Sequence, residues 1–193
     1  MNAKPPKPKK CPVCKNSFTP ARAMQKVCGI DCAKIDAERK REKAEQKERA
    51  DSRRKIRARL DELKTVPELL KEAQIAFNRY IRLRDQGKPC ICCGKPLSSG
   101  SALTGGDYDA GHYRSTGSAG HLRFHEDNCH AQRKQCNQWG AGRAVDYRIG
   151  LIARIGLDRV EALENNNEPH KWTREELREI IATYKAKAKD LTS

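Results

Sequence analysis

Cysteine spacing constrains the fold of this chain more than any other feature of its sequence. Nine cysteines occur among 193 residues. Cys11 and Cys14 form a C-x2-C pair, and Cys28 and Cys32 form a second close pair about a dozen residues later. Two pairs at this spacing can supply four thiolates to one tetrahedral zinc ion. We therefore predict a structural zinc site, because four sulfur ligands leave no open position for a substrate.

A second zinc knuckle is predicted where Cys90 and Cys93 flank Cys92 and are followed by Gly94. Cys90 and Cys93 have the C-x2-C spacing of a metal-binding turn, and glycine permits the tight backbone. The chain begins MNAKPPKPKK, which is unlike a signal peptide. Zinc ligation in the cytoplasm is therefore favoured over a framework of disulfide bonds.

The charge of the chain indicates a polyanionic partner. Forty Lys and Arg residues against 25 Asp and Glu residues give a formal net charge of +15. Nucleic acid and an anionic membrane surface both fit this charge. No apolar run approaches the roughly 18 residues needed to span a bilayer, so we predict a nucleic-acid partner and no membrane. The 37% hydrophobic and 5% aromatic content favours small zinc-stapled units over one large core.

Four segments are predicted along the chain. Residues 1–33 contain a basic lead and the first cysteine set, and residues 34–66 form a long charged helix. Residues 67–142 form a zinc-supported core, and residues 143–193 form C-terminal helices. These last helices either cover the core or pair with a second subunit. The fold class is therefore α+β and helix-dominated, with a small core flanked by helices.

The long charged helix, from Ala33 to about Lys64, alternates basic and acidic residues and has almost nothing apolar before Ile56. Oppositely charged pairs at helical spacing favour an exposed helix. Positive charge concentrates near its end. This cluster is either a solvated face or a DNA-tracking surface. Its members are Arg53, Arg54, Lys55 and Arg57.

Two capping boxes mark the starts of further helices. Thr65 with Glu68, and Thr173 with Glu176, have the spacing in which each side chain bonds the backbone of the other. The first helix is predicted to end before Gly87. The apolar faces of the two helices are Leu69, Leu70, Ala73, Phe77, Tyr80 and Ile81, and Leu177, Ile180, Ile181 and Tyr184.

Between these helices the pattern predicts two strands and a helix. A flexible connection from Ser98 to Gly106 leads to a strand from Tyr108 to Arg114. The alternation of Leu122-Arg-Phe124 predicts a second strand, and a helix follows from about Asn128 or His130 to Trp139. Two more helices are predicted, from Ala144 to Ile155 with an apolar face of Val145, Ile149, Ile152 and Ile155, and from Leu157 to Leu163.

The stretch DAGHYRSTGSAGHLRFHEDNCHAQRKQCN, from Asp109 to Asn137, carries a family resemblance. A zinc knuckle, a strand with His112, then Asn128, then Cys136-Asn137 resembles the HNH endonucleases. This stretch, followed by VDYRIGLIARIGLDRVEALE, is similar more narrowly to the NinG (Rap) family of lambdoid phage recombination endonucleases. The narrower likeness covers roughly residues 67 to 165. It implies a ββα-metal core on a treble-clef zinc unit.

The resemblance implies a role for each motif residue. His112 is the general base that activates water, and Asn128 fixes its orientation. Asn137 supplies an oxygen ligand to a catalytic Mg²⁺ or Mn²⁺ ion. Many HNH endonucleases place a metal-binding aspartate directly before the first histidine, where this chain has Gly111. Asp109 or Asp107 is the candidate carboxylate, although Asp109 would point to the opposite face of a straight strand from His112.

The second zinc site also departs from the family pattern. A C-x2-C pair usually precedes the last motif residue, but Arg133 occupies the first of its positions. Cys129 is our predicted replacement ligand beside Cys90, Cys93 and Cys136, with Cys92 and His130 as alternatives. We thus predict two structural zinc ions. His121, His125 and His170 are predicted to be surface or locally hydrogen-bonded residues.

The resemblance further implies the substrate, which is branched DNA such as Holliday junctions and D-loops in a phage-infected bacterial cell. A homodimer would suit symmetric cleavage of a junction, and other recombination proteins are candidate partners. The alternatives are a non-catalytic zinc-dependent recombination accessory protein and an RNA-binding zinc protein. Predicted phosphate contacts in the core are Arg114, Arg123, Arg133 and Lys134.

Overall fold

The N-terminal cysteine pairs lie in the first of two units of the chain, Met1–Leu63 and Lys64–Ser193. A computed structural model describes residues 7–22, 24–97 and 108–192. The start of the predicted basic lead, residues 1–6, and the predicted connection from Ser98 to Gly106 lie outside the described residues. Within the described ranges, no helix is long and apolar enough to cross a membrane.

The first unit contains a short hairpin and one long helix. Strand β1 (Lys9–Lys10) pairs antiparallel with β2 (Ser17–Phe18). Helix α1 spans Ile30–Leu63 and has no buried residues. Ion pairs along its surface, such as that between Arg41 and Glu45, have the spacing that stabilises an exposed helix. The predicted long charged helix is therefore confirmed.

Two packed helices, α2 (Val66–Arg84) and α5 (Arg174–Asp190), form one side of the second unit. Both predicted capping boxes are present at their starts. Both predicted apolar faces pack in a shared hydrophobic cluster, which we call the α2–α5 core. Its buried members are Leu69, Ala73, Ala76, Phe77, Ile81, Ala110, Phe124, Cys129, Leu177, Ile181 and Tyr184.

Strands β3 (Tyr108–His112) and β4 (Cys129–Arg133) form an antiparallel pair. His112 lies opposite Cys129 in an uninterrupted register. The first predicted strand is confirmed, but the second strand and the following helix were placed wrongly. Leu122 ends a single 3₁₀ turn, Gly120–Leu122, and residues predicted to start a helix form β4. Gln135–Trp139 is instead a π-helical turn, and Ala141–Arg143 is a 3₁₀ turn.

Burial explains the misplaced strand. Leu122 and Phe124 are buried in different hydrophobic clusters, so their alternation reflects a loop anchored on two sides. Strand β4 has buried residues on both of its faces from Cys129 to Gln132. A strand covered on both faces does not alternate between apolar and polar residues.

Helices α3 (Ala144–Ile155) and α4 (Leu157–Asn165) provide a second hydrophobic cluster, the α3–α4 core. Its buried members are Ile91, Ala119, Leu122, Tyr147, Leu151, Val160 and Leu163. The predicted α3 is confirmed, but Val145 and Ile149 are 75% and 64% exposed. The buried face of α3 therefore differs from the predicted one. Gly150 explains the difference, because a Cβ there would lie 1.7 Å from the carbonyl oxygen of Ile91. The helix therefore packs closely on the second cysteine knuckle.

A buried carboxylate connects α2 to β4. The side chain of Asp85 is fully buried. It accepts hydrogen bonds from Arg84, from Lys88 at 2.9 Å, and from the backbone N–H of Ala131 at 3.0 Å. Burial alone would raise the pKa of Asp85, but Arg84 and these other donors lower it well below its usual value. Asp85 is therefore ionised and tied to a strand of the core.

Replacing Asp85 with alanine is expected to lower the free energy of unfolding by about 3–5 kcal/mol, because Arg84 loses its buried counter-charge. Urea denaturation measures the change. The exposed Glu179→Ala variant in α5 serves as the control and should change stability by less than about 0.5 kcal/mol. The stabilisation by Asp85 should be fully present above its unfolded pKa of about 3.9 and be lost as pH falls further. Equal denaturation midpoints for the two variants would contradict this role.

Candidate metal centres and active-site residues

The first predicted cysteine set forms a four-sulfur cluster. The sulfur atoms of Cys11, Cys14, Cys28 and Cys32 all lie within 4.8 Å of one another. The Sγ atoms of Cys14 and Cys28 are 3.5 Å apart. Zinc–sulfur bonds of about 2.3 Å in a tetrahedron separate neighbouring sulfurs by about 3.8 Å. The cluster could therefore hold zinc, as predicted.

The protonation of this cluster also suits a cation. Burial raises the pKa of Cys11, but hydrogen bonds from backbone N–H groups outweigh it and lower the value to about 6. Hydrogen bonding with Cys14 raises the pKa of Cys28 to about 12. Closely spaced thiols resist losing all four protons together unless a positive ion compensates their charge. Such a cluster is typical of a structural zinc site.

The second cluster consists of Cys90, Cys92, Cys93 and Cys136. Cys92 therefore supplies the fourth sulfur, and the prediction that Cys129 does so is wrong. Cys129 lies on the face of β4 that packs in the α2–α5 core, where burial raises the pKa of its thiol. His130, the other alternative, is buried without belonging to the cluster.

Hydrogen bonds from β4 orient the second cluster. The backbone N–H of Arg133 donates to Cys90 Sγ at 3.3 Å, and Gln132 Nε2 donates to Cys92 Sγ at 3.4 Å. Burial raises the pKa of Cys90, but the backbone donors led by Arg133 outweigh it and lower the value to about 7. Donors of this kind fix the positions of metal ligands. This cluster could hold a second zinc ion.

His112 is held by the loop between the strands. Its Nε2 atom lies 2.9 Å from the carbonyl oxygen of Arg123. Because a carbonyl oxygen only accepts, Nε2 carries the proton and Nδ1 keeps its lone pair. With Nε2 protonated, Nδ1 accepts a hydrogen bond from the thiol of Cys129, whose Sγ lies 3.8 Å away. Burial lowers the pKa of His112, so the imidazole is neutral near pH 7 and can accept a proton at Nδ1.

Asn128 orders the same loop from a fully buried position. Its Oδ1 accepts from the backbone N–H of Arg114 at 2.8 Å. Its Nδ2 donates to the carbonyl oxygens of Arg114 and Leu122 at 3.0 and 3.2 Å. These bonds tie together the two ends of the loop that contains Arg123, the partner of His112. The geometry suits the orienting role that the resemblance implies for Asn128.

Asn137 meets Asp109 on the other side of the hairpin. Asn137 Nδ2 donates to Asp109 Oδ2 at 3.2 Å, and Gln138 Nε2 donates to the same oxygen at 3.0 Å. Asp109 and His112 lie on opposite faces of β3, as the strand period predicts. The implied convergence of His112 and Asn137 on one ion is therefore not observed. Asp107 lies outside the described residues.

Packing explains the glycine at position 111. A Cβ on Gly111 would lie 2.1 Å from Oε1 of Gln132. An aspartate at this position would displace the buried Gln132 side chain, which also donates to Cys92.

Across the described part of the chain, the two cysteine sets are the only groups of three or more His, Cys, Asp or Glu residues close enough to hold a metal.

Two of the side chains that were predicted to contact phosphate have hydrogen-bonding partners within the protein. The Arg114 guanidinium donates to the carbonyl oxygens of Leu163 and Asn166 at the end of α4. Arg123 donates to Gln74 Oε1 at 3.1 Å. These two side chains therefore have structural partners, and their contact with phosphate stays a prediction. Arg133 is the last residue of β4 and Lys134 comes directly after it, and both are half-buried. The basic cluster on α1 is exposed; its members are Arg53, Arg54, Lys55 and Arg57.

His121, His125 and His170 each have a polar partner within the protein. His121 Nε2 lies 2.8 Å from the carbonyl oxygen of Asn166. His125 Nδ1 accepts from the backbone N–H of Asp127, and His170 lies 3.2 Å from Glu176. The carbonyl of Arg123 and the side chain of Gln132 were missed, because their roles arise only from the loop conformation and strand pairing.

Comparison with known proteins identifies close relatives along almost the whole chain. A family model described as "Bacteriophage Lambda NinG protein" matches residues 3–193. Protein ninG of Escherichia phage lambda is 42% identical over 189 residues, which cover 92% of this chain and 89% of that protein. Protein ninG of Escherichia phage 933W is 42% identical over 200 residues, with 98% and 96% coverage. No solved structure matches the chain.

Proposed function

The chain belongs to the NinG family of bacteriophage proteins, and from this we propose that it is a metal-dependent DNA endonuclease. Its proposed substrates are branched recombination intermediates, including Holliday junctions and D-loops. The proposal places it in the cytoplasm of the bacterial host, with a homodimer and other recombination proteins as candidate assemblies. The branched substrate follows from the sequence resemblance to recombination endonucleases.

The observation that carries the proposal is the 2.9 Å contact between His112 Nε2 and the carbonyl oxygen of Arg123. The Nε2–H donates to this loop carbonyl, which leaves Nδ1 as the proton acceptor of the ring. Because the Cys129 thiol lies 3.8 Å from Nδ1, the proposed reaction requires that water replace this thiol as the partner of Nδ1. In the proposed reaction, Nδ1 takes a proton from water as the water oxygen bonds to phosphorus. The bond from phosphorus to the 3′-oxygen then breaks, and the leaving oxygen acquires a proton from solvent.

Asp109 and Asn137 are the proposed oxygen ligands of the catalytic ion. Their side chains meet at 3.2 Å, and Mg²⁺ is commonly held by one or two carboxylates together with water and phosphate. A Mg²⁺ or Mn²⁺ ion held there would stabilise negative charge on a phosphate bound at this face of β3. The donor types therefore fit, although they lie on the face of β3 away from His112.

That separation favours a second candidate function, a non-catalytic zinc-dependent recombination accessory protein. Two four-sulfur clusters could hold zinc without any open position, and the net charge of +15 suits binding to nucleic acid. On this alternative, His112 and Asn128 only order a loop. The two candidates differ in whether bound DNA is cleaved.

Cleavage is expected for a labelled four-way junction in Mg²⁺ or Mn²⁺, at a higher rate than for a linear duplex of the same sequence. No cleavage is expected without added divalent ion in protein that retains its zinc. Denaturing gels measure the products, and competition with RNA tests an RNA-binding role. Binding without cleavage under every metal would reject the endonuclease and support the accessory protein.

A further inference from the structure

We propose that Trp139 and the basic cleft beside it bind an unpaired nucleotide of branched DNA, with the base stacked on the indole ring. This inference rests on the proposed DNA partner but does not require cleavage. The cleft has a volume of about 500 Å³ and borders the second cysteine cluster. We call it the Trp139 cleft; its other lining residues include Lys95, Arg133, Gln135 and Arg143.

The exposure of Trp139 is the first observation. The residue is 83% exposed, whereas tryptophan is highly buried on average in folded proteins. The second tryptophan, Trp172, shows the ordinary arrangement. It packs edge-on against Phe124 at 5.0 Å and donates to the carbonyl oxygen of Gly120. The Trp139 indole therefore presents an aromatic surface on which a base can stack.

Positive charge around the cleft suits the phosphates beside such a base. Lys95, Arg133 and Arg143 line it, and none of its described lining residues is acidic. Arg143 forms an ion pair with Asp146 at 2.9 Å. Lys95 and Arg133 form no ion pair with another residue of the described ranges, so their charges are available to phosphate. An aromatic surface next to cationic groups is typical of sites for single-stranded nucleic acid.

The backbone around Trp139 is closely packed. The buried ligand Cys136 lies in the same π-helical turn. After Trp139, a Cβ on Gly140 would lie 2.9 Å from Arg143 Cγ and 3.0 Å from the carbonyl oxygen of Cys136. Arg143 itself has a left-handed backbone with φ of 50°. Unfavourable conformations of this kind cluster at ligand sites.

Base stacking gives the Trp139 cleft a preference for unpaired over paired DNA, which positive charge alone cannot provide. Phosphate contacts attract any nucleic acid and carry no information about branching. Within an intact duplex, away from its ends, both faces of each base are covered by neighbouring bases, so the indole can stack only on an unpaired or unstacked base. Asn137 and Gln138, the partners of Asp109, immediately precede Trp139. A nucleotide in the cleft would therefore enter next to the proposed ion ligands.

Binding measurements test the inference. The probes are a linear duplex, the same duplex with a central bulge of unpaired thymines, and a four-way junction. Trp139→Ala should weaken binding to the bulged probe by about 5- to 150-fold, the loss typical of one stacked base, and change duplex binding by less than about twofold. Trp139→Phe should retain most of the affinity. Ile149→Ala, which removes another exposed apolar side chain, is the matched control.

Fluorescence gives a second readout. The chain has two tryptophans, so a Trp172→Phe variant reports on Trp139 alone, and oligothymidine should quench its emission. Binding measured in a His112→Ala background separates this inference from the proposed activity. If DNA affinity depends on Trp139 but the unsubstituted protein cleaves no DNA, only the proposed endonuclease activity is rejected. Absence of quenching, or equal losses on bulged and fully paired DNA, would overturn the inference.

Discussion

His112→Ala is expected to lower the rate of junction cleavage by about 10²–10⁴-fold, the usual contribution of a general base. The expectation follows from the imidazole geometry, because Nε2 donates to the Arg123 carbonyl and only Nδ1 can accept a proton. DNA affinity should change by less than about threefold, since a neutral ring supplies no counter-charge to phosphate. Single-turnover cleavage and equilibrium binding separate the two quantities.

Two further variants guard against an effect on folding. His112→Asn keeps a polar group in the half-buried position and should lose activity to a similar extent. The exposed His125 bonds only the local backbone N–H of Asp127, so His125→Ala should retain nearly full activity. Circular dichroism checks that all three proteins are folded. Cleavage that persists in folded His112→Ala would reject His112 as the base.

The pH profile of cleavage independently tests whether the neutral form of His112 is the active one. Burial lowers the pKa of His112 below its ordinary value of 6.5, and only the neutral ring can accept a proton. The rate should therefore be constant with respect to this group near pH 7 and fall only at acidic pH, where the lowered pKa of His112 is crossed. A rate that rises toward acidic pH would contradict the assignment.

Cys92→Ser is expected to abolish zinc binding at the second cluster, so that metal content falls from two ions per chain to about one. Structural zinc contributes an apparent binding free energy of about 10–16 kcal/mol in small zinc-dependent domains. Losing it should therefore unfold the surroundings of Cys90, Cys93 and Cys136. Elemental analysis measures the metal, and thermal denaturation measures the stability.

Cys129→Ser is the matched control for this prediction. Cys129 is fully buried in the α2–α5 core and outside the second cluster. The variant should keep two zinc ions but lose about 1–3 kcal/mol of stability, because a hydroxyl replaces the thiol in an apolar site. Loss of zinc from Cys129→Ser with full retention by Cys92→Ser would reverse the ligand assignment.

Local signals were sufficient to predict much of this fold. Thr65 with Glu68 and Thr173 with Glu176 determine helix starts through bonds made within a few residues, so the sequence pattern alone locates them. Cys11, Cys14, Cys28 and Cys32 were likewise predictable from spacing. The period of a strand also predicted correctly that Asp109 and His112 would point to opposite faces.

The errors arose where tertiary packing decides the outcome. Strand β4 is buried on both faces and therefore lacks the alternation by which strands are recognised. Whether Cys92 or Cys129 completes the second cluster depends on which face of β4 packs against α2. The hydrogen bond between Asn137 and Asp109 follows from the π-helical turn, which no local sequence pattern predicted. Membership of the NinG family is shown, while the endonuclease activity stays a prediction.

The arrangement of the second cysteine cluster has a consequence for the order of folding. Three of its four sulfurs come from Cys90, Cys92 and Cys93, within a single turn of the chain. An unfolded chain can present these three thiols together without closing a long loop, whereas Cys136 must be recruited across the whole hairpin. Metal capture can therefore precede formation of the core. A zinc ion held by these three thiols would act as a nucleus, and arrival of Cys136 would couple completion of the coordination sphere to docking of β4.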